Sequence, residues 1–256
     1  MALNHIIEVC CTGNNGRSKI AEAVGNAYTR NMRIFRWDQD YLPLPGIDLE
    51  DTIRFISSGT RAGPEHDAHL PYDKVASIFR SASSHGLMKP ASLDKDKYEH
   101  DPDYHAAMQE RAHMAFRILR PIEAALRNSS LYDVGLTCDE TRVQTTARGD
   151  VSLVLGMEQK HVDQVNEIYS SGAKRPLITM VTEYAGVAGE IPDAIGNTDP
   201  HVYAAIRGRL IDLMPKVIDR YAKEFINRKA RTSYYNVDFY GKCPLRSDLP
   251  PHFFPD

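Results

Sequence analysis

Short apolar runs alternate with segments of helical period along this chain, and that alternation restricts the possible folds more than any other feature. Four runs have the length and composition of buried strands: Ile6 to Cys10, Thr52 to Ile56, Val151 to Leu155 and Pro176 to Val181. Amphipathic stretches separate them. Because strands that alternate with helices form parallel sheets covered on both faces, the sequence predicts an α/β fold with a doubly wound parallel sheet of about four strands.

The helices are predicted from the spacing of their apolar residues. One of the shorter helices begins near Ser18. The other three cover residues 73–81, 158–169 and 202–221. The longest follows Asp103, and Pro121 should kink or interrupt it. Its apolar stripe should pack on the domain or on a second copy of the chain. Residues 84–104 are rich in Ser, Lys, Asp, His and Pro, which is typical of an exposed connection.

The length fits one large domain. With 256 residues, of which 42% are hydrophobic, the chain can bury a sizeable core. We expect a single α/β domain over residues 1–229, with a helical insertion at about 84–130. From residue 230 to 256 the chain is rich in Tyr, Phe and Pro without a period, which predicts an extended C-terminal arm.

Composition excludes several classes of function. The formal net charge is −3 and no basic stripe is visible, so nucleic acid is not an expected partner. No apolar segment approaches the roughly 20 residues that span a bilayer, and the first residues lack the pattern of a signal peptide, so we expect no membrane partner and a cytoplasmic location. The four cysteines, Cys10, Cys11, Cys138 and Cys243, have no zinc-type spacing, which favours free thiols, no metal and no cofactor.

The segment after the first strand, CTGNNGRS, concentrates residues that suit anion binding. A tight loop closed by a helix that begins near Arg17 turns backbone N–H groups inward, with the positive end of the helix dipole behind them. The two glycines permit unusual backbone angles, and the two asparagines adopt them at small cost. The predicted phosphate-binding residues are Thr12, Gly13, Asn14, Asn15, Gly16, Arg17 and Ser18.

Three side chains of this segment have predicted chemical roles. Donors that bind a phosphate also stabilise a thiolate, so Cys11 is the candidate nucleophile. The planar fork of Arg17 can hold two phosphoryl oxygens, and does so more strongly as charge spreads in the transition state. The Ser18 hydroxyl can donate a hydrogen bond to the sulfur when the sulfur becomes the leaving group.

This loop resembles that of the low-molecular-weight protein tyrosine phosphatase family, C-x-G-N-x-C-R-S after a strand. The matching residues are Cys11, Gly13, Asn14, Arg17 and Ser18. Further similarities follow in the family's order: IAEAV at 20–24, FISSGT at 55–60, Arg142, VLGMEQKHVDQV at 154–165 and IPDAIGN at 191–197. The resemblance covers roughly residues 5–80 and 130–225. It implies a flavodoxin-like topology and assigns catalysis to Cys11, Arg17 and Asp193, with Asp193 as the general acid.

The chain departs from the family pattern at several positions. Gly16 replaces the second loop cysteine, so a redox partner for Cys11 would have to be Cys10, for which inward packing is the simpler interpretation. Ala194 replaces a proline, and the two residues after it are not the aromatic pair with which some members sandwich a phosphotyrosine. Arg142 is interpreted as a structural, ion-pairing residue.

The leading hypothesis is a cysteine-dependent phosphomonoesterase that acts on a phosphorylated protein or a small phosphate ester through a cysteinyl-phosphate. Three alternatives stay open: an arsenate reductase or a protein arginine phosphatase on the same scaffold, and a non-catalytic phosphate-binding module. A homodimer through the inserted helix or the arm is also considered.

Overall fold

The computed structural model describes residues 5–30, 32–36, 47–48, 53–62, 69–89, 92–138, 141–171, 175–226 and 230–234. In chain order the elements are β1 (His5–Cys11), α1 (Arg17–Arg30), β2 (Met32–Arg36), β3 (Ile47–Asp48), β4 (Ile53–Gly59), α2 (Tyr72–Ser84), α3 (Lys95–His100), α4 (Pro102–Tyr132), β5 (Val151–Gly156), α5 (Gln159–Ile168), β6 (Leu177–Met180), α6 (Val181–Tyr184), α7 (Pro200–Tyr221) and β7 (Ala230–Tyr234).

The centre of the fold is a four-stranded sheet in the order β4-β1-β5-β6, with every neighbouring pair parallel. The predicted α/β fold with a doubly wound parallel sheet is therefore confirmed, and the strand order is that of a flavodoxin-like topology. Cys11 lies opposite Gly59, and Cys10 lies opposite Gly156. The carboxyl ends of three strands thus meet at one edge, where ligands bind in sheets of this kind.

Both faces of the sheet are buried. Residues of β1 alternate between the faces, as strand geometry requires. Ile7, Val9 and Cys11 pack in the larger core cluster with residues of α1 and α7, whereas Cys10 packs in a separate cluster with residues of β5 and α5. The two adjacent cysteines therefore lie on opposite sides of the sheet.

Helix α4 runs from Pro102 to Tyr132, so Pro121 does not interrupt it, and the alternative, a kink at Pro121, stays a prediction. A proline removes one backbone hydrogen bond of a helix, but packing can offset that loss. Leu119 and Glu123, on either side of Pro121, are both buried. The helix begins after Asp101, whose carboxylate accepts hydrogen bonds from the N–H groups of residues 103 and 104.

The apolar stripe of α4 packs within the same chain. Its residues share a cluster with α2 and α3: Met108, Ala112, Ala115, Phe116 and Leu119 of α4 contact Val75, Ile78, Phe79, Ala82 and Tyr98. Helix α3 and the first residues of α4 lie inside the stretch 84–104 that was predicted to be an exposed connection. The exposure is confirmed for residues 95–100 except Tyr98, but these residues form a helix. Asp94 caps α3, and the Tyr98 hydroxyl donates to the Leu70 carbonyl at 2.5 Å.

A second, antiparallel sheet in the order β3-β2-β7 was not predicted. Strand β7 is the first part of the predicted C-terminal arm and pairs with β2; residues 235–256 lie outside the described residues. Strand β4 continues through Gly59, three residues past the predicted end of the strand at Ile56. No described helix combines the length and the apolar character that a bilayer crossing requires.

Candidate active site

The predicted phosphate-binding loop lies at the carboxyl edge of the main sheet. Cys11 is the last residue of β1 and Arg17 is the first residue of α1. Because the first N–H groups of a helix have no intrahelical acceptor, α1 directs free donors and the positive end of its dipole toward the loop. Asn14 has a φ of 48°, in the left-handed region that asparagine tolerates better than most residues.

A chain of hydrogen bonds behind the loop holds the sulfur of Cys11. Its Sγ lies 3.0 Å from the Ser18 Oγ, which donates to the Asn14 Oδ1 at 3.0 Å. The Asn14 amide donates in turn to the carbonyl of Ser57, at 3.4 Å. Asn14 and Ser18 are fully buried beneath the loop, so they position the sulfur rather than line the space above it.

The end of β4 supports the loop from the side. The N–H groups of Thr60 and Arg61 donate to the carbonyls of Cys11 and Thr12, each at 2.9 Å. Gly59 approaches so closely that a Cβ there would lie 2.7 Å from the Thr12 carbonyl oxygen and from the amide nitrogen of residue 14. Only glycine fits at this position, which is the glycine of the FISSGT segment.

Arg17 is buried and surrounded by acceptors. Its Nη1 donates to the Glu158 carboxylate and, at 2.8 Å, to the Ile191 carbonyl, and its Nη2 lies 3.3 Å from the Asp193 Oδ1. Burial lowers the pKa of Arg17, but the negative charges of Asp193, Cys11 and Glu158 outweigh it and raise the pKa overall. The guanidinium is therefore charged and fixed in orientation.

Asp193 lies beside the loop on the segment between α6 and α7. Its Oδ1 accepts from the Ile195 N–H at 3.2 Å, and its Oδ2 lies 3.5 Å from the Lys74 Nζ. Burial raises the pKa of Asp193, but the charges of Arg17, Lys74 and Lys160 outweigh it, and the pKa stays below its usual value. The carboxylate is thus ionised at neutral pH in this ligand-free structure.

His161 fixes Thr12 in the loop. The Glu158 N–H donates to the His161 Nδ1 at 3.1 Å, so the ring proton lies on Nε2, which is 2.9 Å from the Thr12 Oγ1 and donates to it. Burial, with the charge of Arg17, lowers the pKa of His161 to about 3. The ring is therefore neutral at physiological pH and keeps this tautomer.

Helix α4 contributes two buried ionisable side chains that were not predicted from the sequence. Arg127 donates to the carbonyl of Asn15 and, at 3.2 Å, to its Oδ1. The Glu123 Oε1 accepts from the Gly196 N–H at 2.5 Å. Burial raises the pKa of Glu123 to about 8, so this carboxyl is largely protonated at neutral pH. One helix thus holds both the phosphate loop and the Asp193 segment.

A signal for these two residues exists in the sequence. Ala115, Leu119, Glu123 and Arg127 follow one another at intervals of four, so they share one helix face. The first two are apolar and buried. Charged residues that continue a buried stripe are expected to have specific partners inside the protein.

A cavity of about 350 Å³ opens above the loop. Of the predicted residues, Cys11, Thr12, Gly13, Asn15, Gly16, Arg17 and Asp193 line it, whereas Asn14 and Ser18 do not. The other walls include Arg61, Lys74, Phe116, Arg120, Glu123, Arg142, Lys160, Ala194, Ile195 and Tyr203. Within the described part of the chain, no group of three or more His, Cys, Asp and Glu side chains could hold a metal ion.

The inward packing predicted for Cys10 is confirmed, whereas the ion pair predicted for Arg142 is not present among the described residues. Arg142 was interpreted as an ion-pairing residue; instead its Nε donates to the Gly13 carbonyl at 2.8 Å, and it joins no carboxylate among the residues described. The Cys10 Sγ lies 3.2 Å from the Thr145 Oγ1, and burial raises the pKa of this thiol to about 12. Cys10 is thus a buried neutral thiol on the far side of the sheet from Cys11.

Together the fold and site define a parallel α/β domain with a Cys-x5-Arg-Ser loop between its first strand and first helix. Several solved structures are similar to this chain at low sequence identity. They include YwlE from Bacillus subtilis (16% identity, TM-score 0.47, 83% of this chain and 95% of the other covered), a low molecular weight protein tyrosine phosphatase from T. tengcongensis (18%, 0.46, 84% and 99%) and the YwlE arginine phosphatase from Geobacillus stearothermophilus (15%, 0.46, 86% and 94%). No protein-family model and no curated protein matches the sequence.

Proposed function

We propose that the chain is a cysteine-dependent phosphatase that hydrolyses a phosphomonoester, on a protein or a small molecule, through a cysteinyl-phosphate. One observation carries the proposal: Cys11, Arg17 and Asp193 line the same cavity, at the N-terminus of α1, where free N–H groups favour an anion. A nucleophile, a fixed cation and a carboxyl group around one space are the parts that phosphoryl transfer to sulfur requires.

In the first step the Cys11 thiolate attacks phosphorus in line, the bond from phosphorus to the ester oxygen breaks, and Asp193 gives that oxygen its proton. In the second step the Asp193 carboxylate takes a proton from water, the water oxygen attacks phosphorus, and the S–P bond breaks. Phosphate leaves and the thiolate is restored. Arg17 holds the equatorial oxygens throughout.

Asp193 must be protonated in the substrate complex if it is the acid. In the free protein three cations keep its pKa low, with Arg17 the strongest of them. A bound phosphate dianion places negative charge at the guanidinium and competes for it, which raises the proton affinity of the carboxylate. Substrate binding is therefore expected to be accompanied by proton uptake.

Ser18 has a role in the same cycle. Its hydroxyl lies between the Cys11 sulfur and the Asn14 side-chain oxygen, at 3.0 Å from each. A single hydroxyl proton can be donated to only one of them. When the sulfur is a thiolate, donation to sulfur is favoured because hydrogen bonds to ionised acceptors are stronger.

The test is hydrolysis of para-nitrophenyl phosphate and of phenyl phosphate, which has the poorer leaving group. Cys11→Ser should abolish turnover and retain phosphate binding. Asp193→Ala should slow the first step by about a hundredfold to ten-thousandfold, and more for phenyl phosphate. Cys138→Ser, a thiol that does not line the cavity, is the control and should retain activity. Undiminished activity of Cys11→Ser would end the proposal.

The alternative functions give different results in the same assays. Arsenate reduction needs a further thiol near Cys11, yet Cys11 is the only cysteine among the described residues that lines the cavity. Thiol-dependent turnover of arsenate would nevertheless favour that activity. Phosphate affinity without hydrolysis across pH 5 to 8 would favour a non-catalytic module, and preference for phosphoarginine would favour an arginine phosphatase. The homodimer stays a prediction that sedimentation velocity tests.

A further inference from the structure

The cavity carries more positive charge than one phosphate requires. Six of its lining residues are cations, Arg17, Arg61, Lys74, Arg120, Arg142 and Lys160, although the whole chain has a formal net charge of −3. Arg17, Lys74 and Lys160 are paired with Asp193 or Glu158. No ion pair links the other three to a carboxylate in the part of the chain that is described.

Two of these unpaired arginines come from different elements and line the same cavity. Arg120 is on the inserted helix α4, and its guanidinium stacks over the Phe116 ring, 5.0 Å from the centroid. Arg142 precedes β5 and is tied to the loop through the bond from its Nε to the Gly13 carbonyl. Burial, and then the charge of Arg142, lowers the pKa of Arg120. Like charges brought together at a half-buried place are unfavourable unless an anion joins them.

We propose that Arg120 and Arg142 form a second anion subsite beside the phosphate loop, so that the preferred substrate is a phosphomonoester carrying a second phosphate group. The inference rests on the proposed function, because it names the substrate class of the same cavity. Planar guanidinium forks match the oxygens of a phosphate. Phe116 and Ile195 give the cavity apolar wall for the scaffold that connects the two phosphates.

Arg120 is the residue whose substitution affects the second subsite and not the phosphate loop. The charge of Cys11 acts on Arg142, so Arg142 could also assist at the scissile phosphate. Arg120, by contrast, stacks on Phe116 of its own helix and makes no hydrogen bond to the loop among the described residues. A substitution of Arg120 therefore tests the second phosphate with the least disturbance of the first.

The first experiment measures binding, so it does not depend on turnover. Calorimetry with the full-length Cys11→Ser protein compares phenylphosphonate with its 3-phosphono and 4-phosphono derivatives. Hydrogen bonds to charged groups predict that one of the bisphosphonates binds at least about tenfold more tightly. Arg120→Gln should remove most of that preference, whereas Arg117→Gln, which removes the same charge from an exposed position of the same helix, should keep it.

Equal affinity for the mono- and bisphosphonates, or a preference that survives Arg120→Gln, would overturn the inference. Circular dichroism shows whether each variant is folded. If Arg120→Gln does not fold, the comparison of the mono- and bisphosphonates on the Cys11→Ser protein, which keeps both arginines, still decides the question. Arg120→Lys, which keeps the charge without the fork, should retain part of the preference.

The second experiment measures kcat/KM on matched substrates and identifies the source of the second phosphate. One pair is a hexose bisphosphate and its monophosphates; the other is a peptide with one or two phosphorylated residues. Preference for the doubly phosphorylated member of either pair supports the inference. Equal hydrolysis of both members contradicts the inference and leaves the phosphatase function intact. Tight binding of bisphosphonates without any hydrolysis contradicts the phosphatase function and supports the subsite.

Discussion

At the scale of single residues, the site depends on how charges are distributed between two carboxyl groups. Asp193 contacts Arg17 and Lys74 and is ionised, while Glu123, from α4, is buried and largely protonated at neutral pH. Both line one cavity. Their pKa values are moved in opposite directions because cations surround one carboxyl and the other is enclosed by the protein with a single backbone donor.

The buried Glu123 should make the stability of the protein depend on pH. Its pKa is raised from the ordinary 4.5 to about 8 on folding, so between these values the folded state binds more protons than the unfolded state. The free energy of unfolding should therefore fall as pH rises through that interval. Glu123→Gln cannot ionise and keeps an acceptor for the Gly196 N–H. The free energy of unfolding of this variant, measured relative to wild type, should therefore increase as the pH rises from 5 to 8.

Urea unfolding of both proteins at several pH values measures this difference. Glu110→Gln on the exposed face of the same helix is the control and should show no such trend. A difference between wild type and Glu123→Gln that is the same at pH 5 and pH 8 would mean that Glu123 is ionised in the folded protein.

At the scale of elements, the phosphate loop is held by four parts of the chain: β4, α4, the segment before β5 that carries Arg142, and the residues at the start of α5. Much of this could be predicted. The Cys-x5-Arg-Ser spacing after an apolar run located the loop between a strand and a helix, and the four apolar runs each became a strand of the main sheet. Such predictions succeed because strand and loop signals are local in the sequence.

The contribution of α4 could not be predicted from local signals. Its composition and stripe indicated an amphipathic helix, but Glu123 and Arg127 find their partners some 70 to 110 residues away in sequence, at Gly196 and Asn15. Pro121 suggested a break where packing on both sides maintains the helix. The antiparallel sheet was missed for a similar reason, since β2 and β7 are paired across nearly the whole chain.

Substitution of Gly59 tests whether β4 supports the phosphate loop. Gly59→Ala places a Cβ against two backbone atoms of the loop, which cannot move independently of the sulfur. We expect a loss of stability of about 1–3 kcal/mol from overpacking, and a fall in kcat/KM of roughly a hundredfold if the loop is displaced. Gly149→Ala, where a Cβ meets nothing within 4 Å, is the matched control.

Urea unfolding and para-nitrophenyl phosphate hydrolysis measure these two effects. An alanine at 59 that leaves both stability and activity at the level of the Gly149→Ala protein would show that β4 does not hold the loop in place.

At the scale of the whole molecule, the electrostatics of the cavity are opposite to those of the chain. Composition indicated a weakly acidic protein, and for that reason nucleic acid was not an expected partner. The fold collects six cations from α1, α2, α4, α5 and the segments after β4 and before β5 into one cavity. Net charge counts residues and not their positions, so the sequence alone did not reveal this concentration. The unpaired members of the set extend the proposed substrate beyond a single phosphate.

The most direct test of the central claim is detection of the covalent intermediate. Asp193→Ala protein mixed with para-nitrophenyl phosphate, quenched in acid within the first turnover and digested, should yield one phosphoryl group on the peptide that contains residues 10 and 11. Fragmentation should assign it to Cys11, and Cys10→Ala should retain it. A phosphoryl group on Cys10, or turnover by Cys11→Ala at the rate of the unaltered protein, would contradict the account.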